Sequence, residues 1–267
     1  MDACFIDYFV YSFGPSPLVE SDVYLLMSNS SAPQKSPFSV LYEDTHLLVL
    51  NKSAGLLSQA ADHSTEENLV DLLRVRFGRP YVGLVHRLDR NTSGLMVVAK
   101  RTKAAERLTN SLQEGRLIRR YLAWLVGDLQ KQARWEHWLV KNERTNEVRA
   151  SMIEPGRTAP RNAKASALTV RPRERRSFGG AFVTLAEFEL ETGRSHQIRA
   201  QALASGYPLL GDTKYATAQS RDLTFPRTAL HSYYLEFPHP VPSALENKEP
   251  NGQLRFEIGL PPDLELD

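Results

Sequence analysis

The apolar residues of this chain occur in short runs, and this pattern constrains the fold more than any other feature. Runs of five to eleven residues, rich in Val, Leu and aromatic side chains, alternate with polar or glycine-containing segments. Such runs are typical of β-strands. The predicted strands are 38–42, 46–51, 81–85, 94–99, 120–126, 148–153, 165–171, 181–191, 230–237 and 254–258. The sequence therefore predicts an α+β fold: a long mixed, largely antiparallel β-sheet with a few flanking helices.

Three segments favour helices, each beginning at a residue whose side chain can cap a helix. Ser64 and Glu67 form a capping box before a helix that ends at Gly78. Thr102 is expected to cap a helix through residue 112, and Ser195 a helix through residue 204.

Residues 1–37 differ from the rest of the chain. They hold one Lys against four acidic residues and end in the linker-like sequence 28–37, which is rich in Ser and Pro. We therefore expect an N-terminal appendage and linker at 1–37 and the main domain at 38–267.

Cys4 is the single cysteine, which excludes a disulfide framework within the chain and a Cys-rich zinc site. The N-terminus does not resemble a signal peptide, and no uncharged apolar run reaches ~18 residues. We expect a cytoplasmic protein without a membrane span.

The positive charge lies in the middle of the chain. Residues 86–120 hold nine Lys and Arg against three acids, and residues 141–176 hold ten against four. Clustered cations are typical of surfaces that bind nucleic acids, because phosphate contacts supply much of their affinity. They are equally typical of a solvated face, so charge alone leaves both interpretations open.

Three motifs carry residues that could do chemistry. In the loop 86–94, Asp89 lies between two arginines, which favour the charged carboxylate, and Gly94 lets the chain enter the next strand without a Cβ clash. In the segment 192–199, a helix beginning at Ser195 would place His196 and Arg199 three residues apart on one face. In 119–127, Tyr121 could stack on a base or exchange a proton. Each motif taken alone also fits a surface turn, a helix start or a core aromatic.

Taken together, the motifs resemble the RluA-type pseudouridine synthases. The matching blocks run in the family's order across about 38–260: 40–44 with 48–52 and Gly55, 86–89 with 92–94, Tyr121 with Gly127, 192–199, 208–212 with Tyr215, 230–231 and 237–240. Several blocks in order are far more specific than any one of them.

The resemblance implies an α+β domain with a central RNA-binding cleft, spanning 38–267 as the catalytic domain. It implies that a ribosomal or transfer RNA uridine is isomerised to pseudouridine after base flipping, without metal or organic cofactor. Nothing in the sequence demands more than a monomer, which is the state we expect. The implied catalytic residues are Asp89 as nucleophile, Arg199 as its ion-pair partner and Tyr121 stacked on the uracil. The implied RNA-binding residues are Arg87, Arg90, Thr92, Arg119, Arg120, Arg194 and His196.

Two other functions were weighed. A metal-dependent hydrolase could use His86, Asp89, His196 and His231, but the neighbouring arginines would repel a divalent cation and no tight ligand spacing appears. An inert RNA-binding module would keep the basic stretches but could lose Asp89, Tyr121 or Arg199, and all three residues are present.

Overall fold

A computed structural model of the chain describes residues 36–61, 64–154, 156, 158–245 and 252–266. The predicted appendage, residues 1–37, lies outside the described residues except for its last two. The division of the chain at residue 37 therefore stays a prediction.

The described residues form one sheet of eleven strands flanked by short helices. The strands are β1 (Phe38–Glu43), β2 (Leu47–Lys52), β3 (Gly83–Leu84), β4 (Ser93–Ala99), β5 (Ile118–Val126), β6 (Ala133–Asn142), β7 (Glu147–Met152), β8 (Lys164–Phe178), β9 (Ala181–Leu190), β10 (Leu230–Pro238) and β11 (Gln253–Glu257). Their order is β1-β2-β4-β10-β5-β9-β8-β6-β7, with β3 paired to β4 and β11 paired to β10.

The pairing is antiparallel between the described strands, except for the parallel pair of β4 and β10 at the centre of the sheet. Gly94 permits this contact: its φ is 115°, and a Cβ there would lie 2.2 Å from the Ser232 carbonyl oxygen. The predicted mixed, largely antiparallel sheet in an α+β fold is confirmed.

The helices are α1 (Leu69–Phe77), α2 (Thr102–Gln113), α3 (Gln197–Ala204) and α4 (Ala218–Arg221), with 3₁₀ turns at Pro242–Leu245 and Pro262–Leu264. Residues of α1 and α3 pack with Tyr121 on one face of the sheet, whereas α2 packs on the other. Strands β2 and β4 are therefore covered on both faces, which explains why they read as continuous apolar runs. None of the helices in the described ranges combines the length and apolar character that a bilayer crossing requires.

The predicted helix caps are wrong at each of the three starts. The first helix begins after Asn68, whose side chain accepts the Asp71 N–H at 3.2 Å, while Ser64 bonds only to the nearby Glu66 N–H. The second begins at Thr102 itself and has no side-chain cap. The third follows His196 rather than Ser195. Tertiary contacts decided the first case, because the Leu69 N–H donates to the Leu57 carbonyl and so fixes where the helix can begin.

Three strands also differ from their predicted bounds. β6 was not predicted, although Trp135, His137 and Leu139 are buried in alternation with more exposed neighbours. β8 continues to residue 178, because its second half pairs with β9 in a hairpin. Of the predicted strand 81–85, only Gly83–Leu84 pairs with a neighbour.

Candidate active site

The loop that carries Asp89 is fixed by backbone contacts on both sides of this residue. The Ser58 hydroxyl donates to the Leu88 carbonyl at 2.7 Å and accepts the Leu88 N–H at 3.1 Å. On the other side, the Thr92 N–H donates to the Asp89 carbonyl at 3.1 Å. The Asp89 side chain is 28% exposed, so its carboxylate is held in place and still accessible.

Lys52 links the loop of Asp89 to the segment 53–56 through hydrogen bonds to backbone carbonyls. Its side chain is fully buried, and its Nζ donates to the carbonyls of Ser53 and Leu56 at 2.8 Å each and of Arg90 at 3.2 Å. Burial lowers the pKa of Lys52 to about 7, aided by the charge of Arg227 and opposed by that of Asp89. This lysine is a structural anchor of the loop, since its nitrogen points at backbone carbonyls.

Arg199, in the first turn of α3, lies between two carboxylates. Its Nη1 donates to Asp89 Oδ2 at 3.1 Å, whereas its Nε and Nη2 donate to Asp212 at 2.6 and 2.9 Å. The predicted ion pair of Asp89 with Arg199 is therefore present. The bidentate bond to Asp212 fixes the plane of the guanidinium, and that plane fixes the direction in which Asp89 is held.

Asp212 is a fully buried carboxylate with four hydrogen bonds. Besides the two from Arg199, it accepts the backbone N–H groups of Lys214 at 3.0 Å and Tyr215 at 2.9 Å. Burial acts to raise the pKa of Asp212, but the bonds from Arg199 and from the backbone outweigh it and lower that pKa. The ion pair of Asp212 with Arg199 thus holds the guanidinium that binds Asp89 in a fixed position.

His196 approaches Asp89 from the start of α3. Its backbone is left-handed, with φ of 50°, and its Nε2 lies 3.9 Å from Asp89 Oδ1. Its Nδ1 lies 2.8 Å from the Tyr215 hydroxyl, which also accepts the Val148 N–H at 2.8 Å. Because the hydroxyl already accepts one bond and burial raises the pKa of Tyr215 to about 12, its proton points at Nδ1. Burial lowers the pKa of His196, so the neutral ring carries its proton on Nε2, facing Asp89.

Tyr121 and Arg119 complete this region from β5. They are two residues apart on one face of the strand, and they are 4% and 6% exposed. Burial raises the pKa of Tyr121; the charge of Arg119 opposes the rise and that of Asp89 adds to it. The phenol is therefore protonated at neutral pH and lies within the electrostatic reach of both charged groups.

The arrangement joins an accessible carboxylate to a fixed cation, a neutral imidazole and a buried phenol. Within the described ranges, no three His, Cys, Asp or Glu side chains are grouped so that they could hold a metal ion. A carboxylate held in this way is suited to nucleophilic attack, and the phenol is suited to stacking or proton transfer.

Comparison with known proteins adds to this geometry. Residues 46–204 match the family described as RNA pseudouridylate synthase. The chain belongs to this family. It is 31% identical to ribosomal large subunit pseudouridine synthase D of Zymomonas mobilis over 261 residues, covering 92% of this chain and 76% of the relative. With the protein of that name from Xanthomonas campestris it shares 34% over 238 residues, covering 84% and 68%.

The fold agrees with this assignment. The structure of human RNA pseudouridylate synthase domain containing 1 superposes with a TM-score of 0.66 at 26% identity, covering 85% of this chain and 86% of the human chain. The RluA-type resemblance and the predicted enzyme class, an RNA pseudouridine synthase, are confirmed.

The structure brings some of the predicted RNA-binding residues to the site and leaves others away from it. His196 lies 3.9 Å from Asp89, while Arg87 and Arg90 are exposed in the loop of Asp89, where Arg90 pairs with Glu66 at 2.7 Å. Arg194 is exposed two residues before His196, and Arg119 is buried on β5. Thr92 is 2% exposed and acts through its backbone within the loop. Arg120 points to the opposite face from Tyr121, where it pairs with Glu189 at 3.0 Å.

Three residues that build this synthase site were not predicted as site residues. They are Lys52, Asp212 and Tyr215, and each stands in a sequence block that carries the resemblance. The aspartate that follows Gly211 in the block 208–212 was a signal that could have indicated a partner for Arg199. The sequence did not show that one arginine serves two carboxylates, because Asp89 and Asp212 lie 123 positions apart along the chain.

Proposed function

We propose that this synthase isomerises specific uridines of ribosomal RNA to pseudouridine, with Asp89 as the nucleophile, on a base flipped out of its helix and without metal or cofactor. The observation that carries the proposal is the Asp89–Arg199–Asp212 arrangement, in which an accessible carboxylate is held by a guanidinium that a second carboxylate fixes. The ribosomal substrate is inferred from the relatives named ribosomal large subunit pseudouridine synthase D.

The reaction breaks the N1–C1′ bond of uridine and forms a C5–C1′ bond. Asp89 supplies the electron pair that attacks the ribose or the ring, the uracil turns, and C5 then bonds to C1′. Over the whole reaction C5 loses a proton and N1 gains one, so no oxidant or reductant is needed. Tyr121, protonated and beside the nucleophile, is proposed to stack on the uracil and to assist removal of the C5 proton.

A base within a helix is out of reach of Asp89, so the target must leave its stack, at a cost of a few kcal/mol. Arg87 is exposed and adjoins the buried Leu88 in the nucleophile loop. We propose that it occupies the space the base vacates, while Arg90, Arg194 and His196 contact the surrounding RNA. Thr92 and Arg120 remain proposed contacts, Arg120 on the far face of the sheet. An Arg87→Ala enzyme that bound and modified RNA at the normal rate would remove Arg87 from this role.

The proposal is tested by mapping pseudouridine in total RNA from cells with and without this gene. We expect one or a few ribosomal positions to lose pseudouridine and to regain it when the wild-type gene is returned. Complementation with an Asp89→Asn gene is the matched control, and it should leave those positions as uridine. Loss confined to transfer RNA would refute the ribosomal substrate, and no loss at any position would refute the function.

A further inference from the structure

Arg119 is a buried cation for which the described residues provide no hydrogen-bond or ion-pair partner. The residue is 6% exposed, and its side chain makes no hydrogen bond or ion pair within the part of the chain that the structure describes; its Nε is fully enclosed without an acceptor. The neighbouring arginine on β5, Arg120, pairs with Glu189, and Arg199 pairs with two carboxylates. Arg119 therefore differs from both in having its charge uncompensated.

The guanidinium lies beside the reacting groups of the synthase site. Arg119 is on the same face of β5 as Tyr121, and its charge acts on that phenol together with the charge of Asp89. Its head lies under Gly193, where an added Cβ would be 2.9 Å from Nη1 and 3.1 Å from Nη2. A side chain larger than hydrogen at residue 193 would displace the cation, so the glycine permits this close approach.

The surroundings do not neutralise the charge. His86 is the second group on which Arg119 acts, and burial together with this cation lowers its pKa to about 3, so the imidazole is neutral. A cation buried without a partner is unfavourable in a folded protein, and replacing such a charge by an apolar group of similar volume is often neutral or stabilising. Its presence at this position thus points to an acceptor that arrives with the substrate.

We propose that Arg119 binds a carbonyl oxygen of the target uracil and stabilises the negative charge that develops on the base during the reaction. This inference rests on the proposed function. If Asp89 attacks C1′, the electron pair of the broken N1–C1′ bond stays with the base, and its negative charge spreads over N1, O2 and O4. If Asp89 attacks C6, the π electrons of the C5=C6 bond shift and place the negative charge on O4 as an enolate. In either case the new negative charge reaches a carbonyl oxygen of the base and no proton moves in that step, so a fixed guanidinium in a water-poor site favours it.

The experiment compares Arg119→Met and Arg119→Lys with the wild type, using a transcript of the ribosomal segment that mapping identifies. Single-turnover rates at saturating enzyme are measured with the Kd for the transcript and the Tm of the RNA-free proteins. Arg255→Met is the control, because it removes an arginine on β11 that is 67% exposed and pairs at 3.5 Å with Glu236, which is not a site residue. Its rate, Kd and Tm should match the wild type.

We expect Arg119→Met to lower the rate about 10²- to 10³-fold, as loss of one preorganised donor to a developing charge does. Its Kd should stay within about threefold and its Tm should equal or exceed that of the wild type, since an unpaired buried charge is removed. Arg119→Lys should recover most of the rate.

Three outcomes would overturn the role of Arg119. The first is an Arg119→Met rate within about threefold of the wild type. The second is a weaker RNA affinity of Arg119→Met with an unchanged rate, which would indicate a phosphate contact. The third is an Arg119→Met Tm lowered by several degrees, which would indicate a structural cation. A wild-type enzyme that forms no pseudouridine would instead refute the proposed function, so the two failures are distinguishable.

Discussion

Asp89 and Asp212 bind the same guanidinium, and we expect the same substitution to lower the free energy of unfolding much more at Asp212 than at Asp89. In an Asp212→Asn variant, the amide oxygen can keep the place of Oδ1 and accept the backbone N–H groups of Lys214 and Tyr215. The amide nitrogen then takes the place of Oδ2, 2.6 Å from Arg199 Nε. Two donors would face each other there, so Arg199 must move.

The structure sets the size of this effect. Arg199, which donates to Asp89 at 3.1 Å in the wild type, would lose most of its bidentate bond to a carboxylate that is fully buried. Removing one partner of a buried ion pair costs about 3–5 kcal/mol, and we expect the lower end because Asn keeps one acceptor. For a domain of this size, a loss of about 3 kcal/mol corresponds to a Tm lowered by roughly 6–12 °C.

Urea unfolding of the two purified variants and the wild type measures the effect. Asp89→Asn is the matched control: its side chain is 28% exposed and accepts one bond from Arg199, so its free energy of unfolding should change by less than about 1 kcal/mol. The reasoning would be refuted if Asp212→Asn unfolded at the wild-type urea concentration, or if both variants lost equal stability.

Three further effects are expected. Tyr215→Phe leaves the Val148 N–H without its acceptor and Nδ1 of His196 without its donor, so we expect a loss of about 1–2 kcal/mol in urea unfolding and, by ¹⁵N NMR, a shifted Nδ1 signal with the proton still on Nε2; a wild-type spectrum with the proton on Nδ1 would contradict the assignment. Burial opposes ionisation of Asp44, but bonds from His239 and the backbone lower its pKa to about 2, below its ordinary value of 3.8. The ionised Asp44 should therefore contribute fully to the free energy of unfolding above about pH 4, and this contribution should be lost as the pH falls through 2. Asp44→Asn should lack this acid-sensitive contribution, and parallel curves of unfolding free energy against pH for the two proteins would refute the prediction. RNA affinity should fall steeply with added KCl, and a flat dependence would argue against phosphate contacts by the basic stretches.

The sheet was predictable because its strands carry their own pattern. Leu48 and Leu50 face one side of β2 while Leu47 and Val49 face the other, and a run buried on both faces reads as continuously apolar. β6 escaped prediction because its buried positions include His137, whose burial depends on its contact with Gln201 of α3. Gln201 lies 64 residues from His137 in the sequence, so the residues around His137 do not indicate this contact.

The site was predictable to the extent that single motifs contain it. Asp89, Tyr121 and Arg199 each lie in a block that carries the resemblance, and the ion pair of Asp89 with Arg199 is present. The sequence did not predict the residues that hold Asp89 and Arg199 in place. The bond that Arg199 donates to Asp212 and the bond that Lys52 donates to Arg90 join segments that only the fold brings together. The helix start after His196 was also missed, because the left-handed backbone there is set by tertiary contact and not by a capping side chain.

The identity of the nucleophile is tested most directly by purified Asp89→Asn enzyme on the ribosomal transcript. The variant keeps the shape of the side chain and, by the reasoning above, the fold. We expect it to bind the transcript with near wild-type affinity and to form no pseudouridine over many wild-type turnover times. Pseudouridine formed by this variant at the wild-type rate would contradict the account.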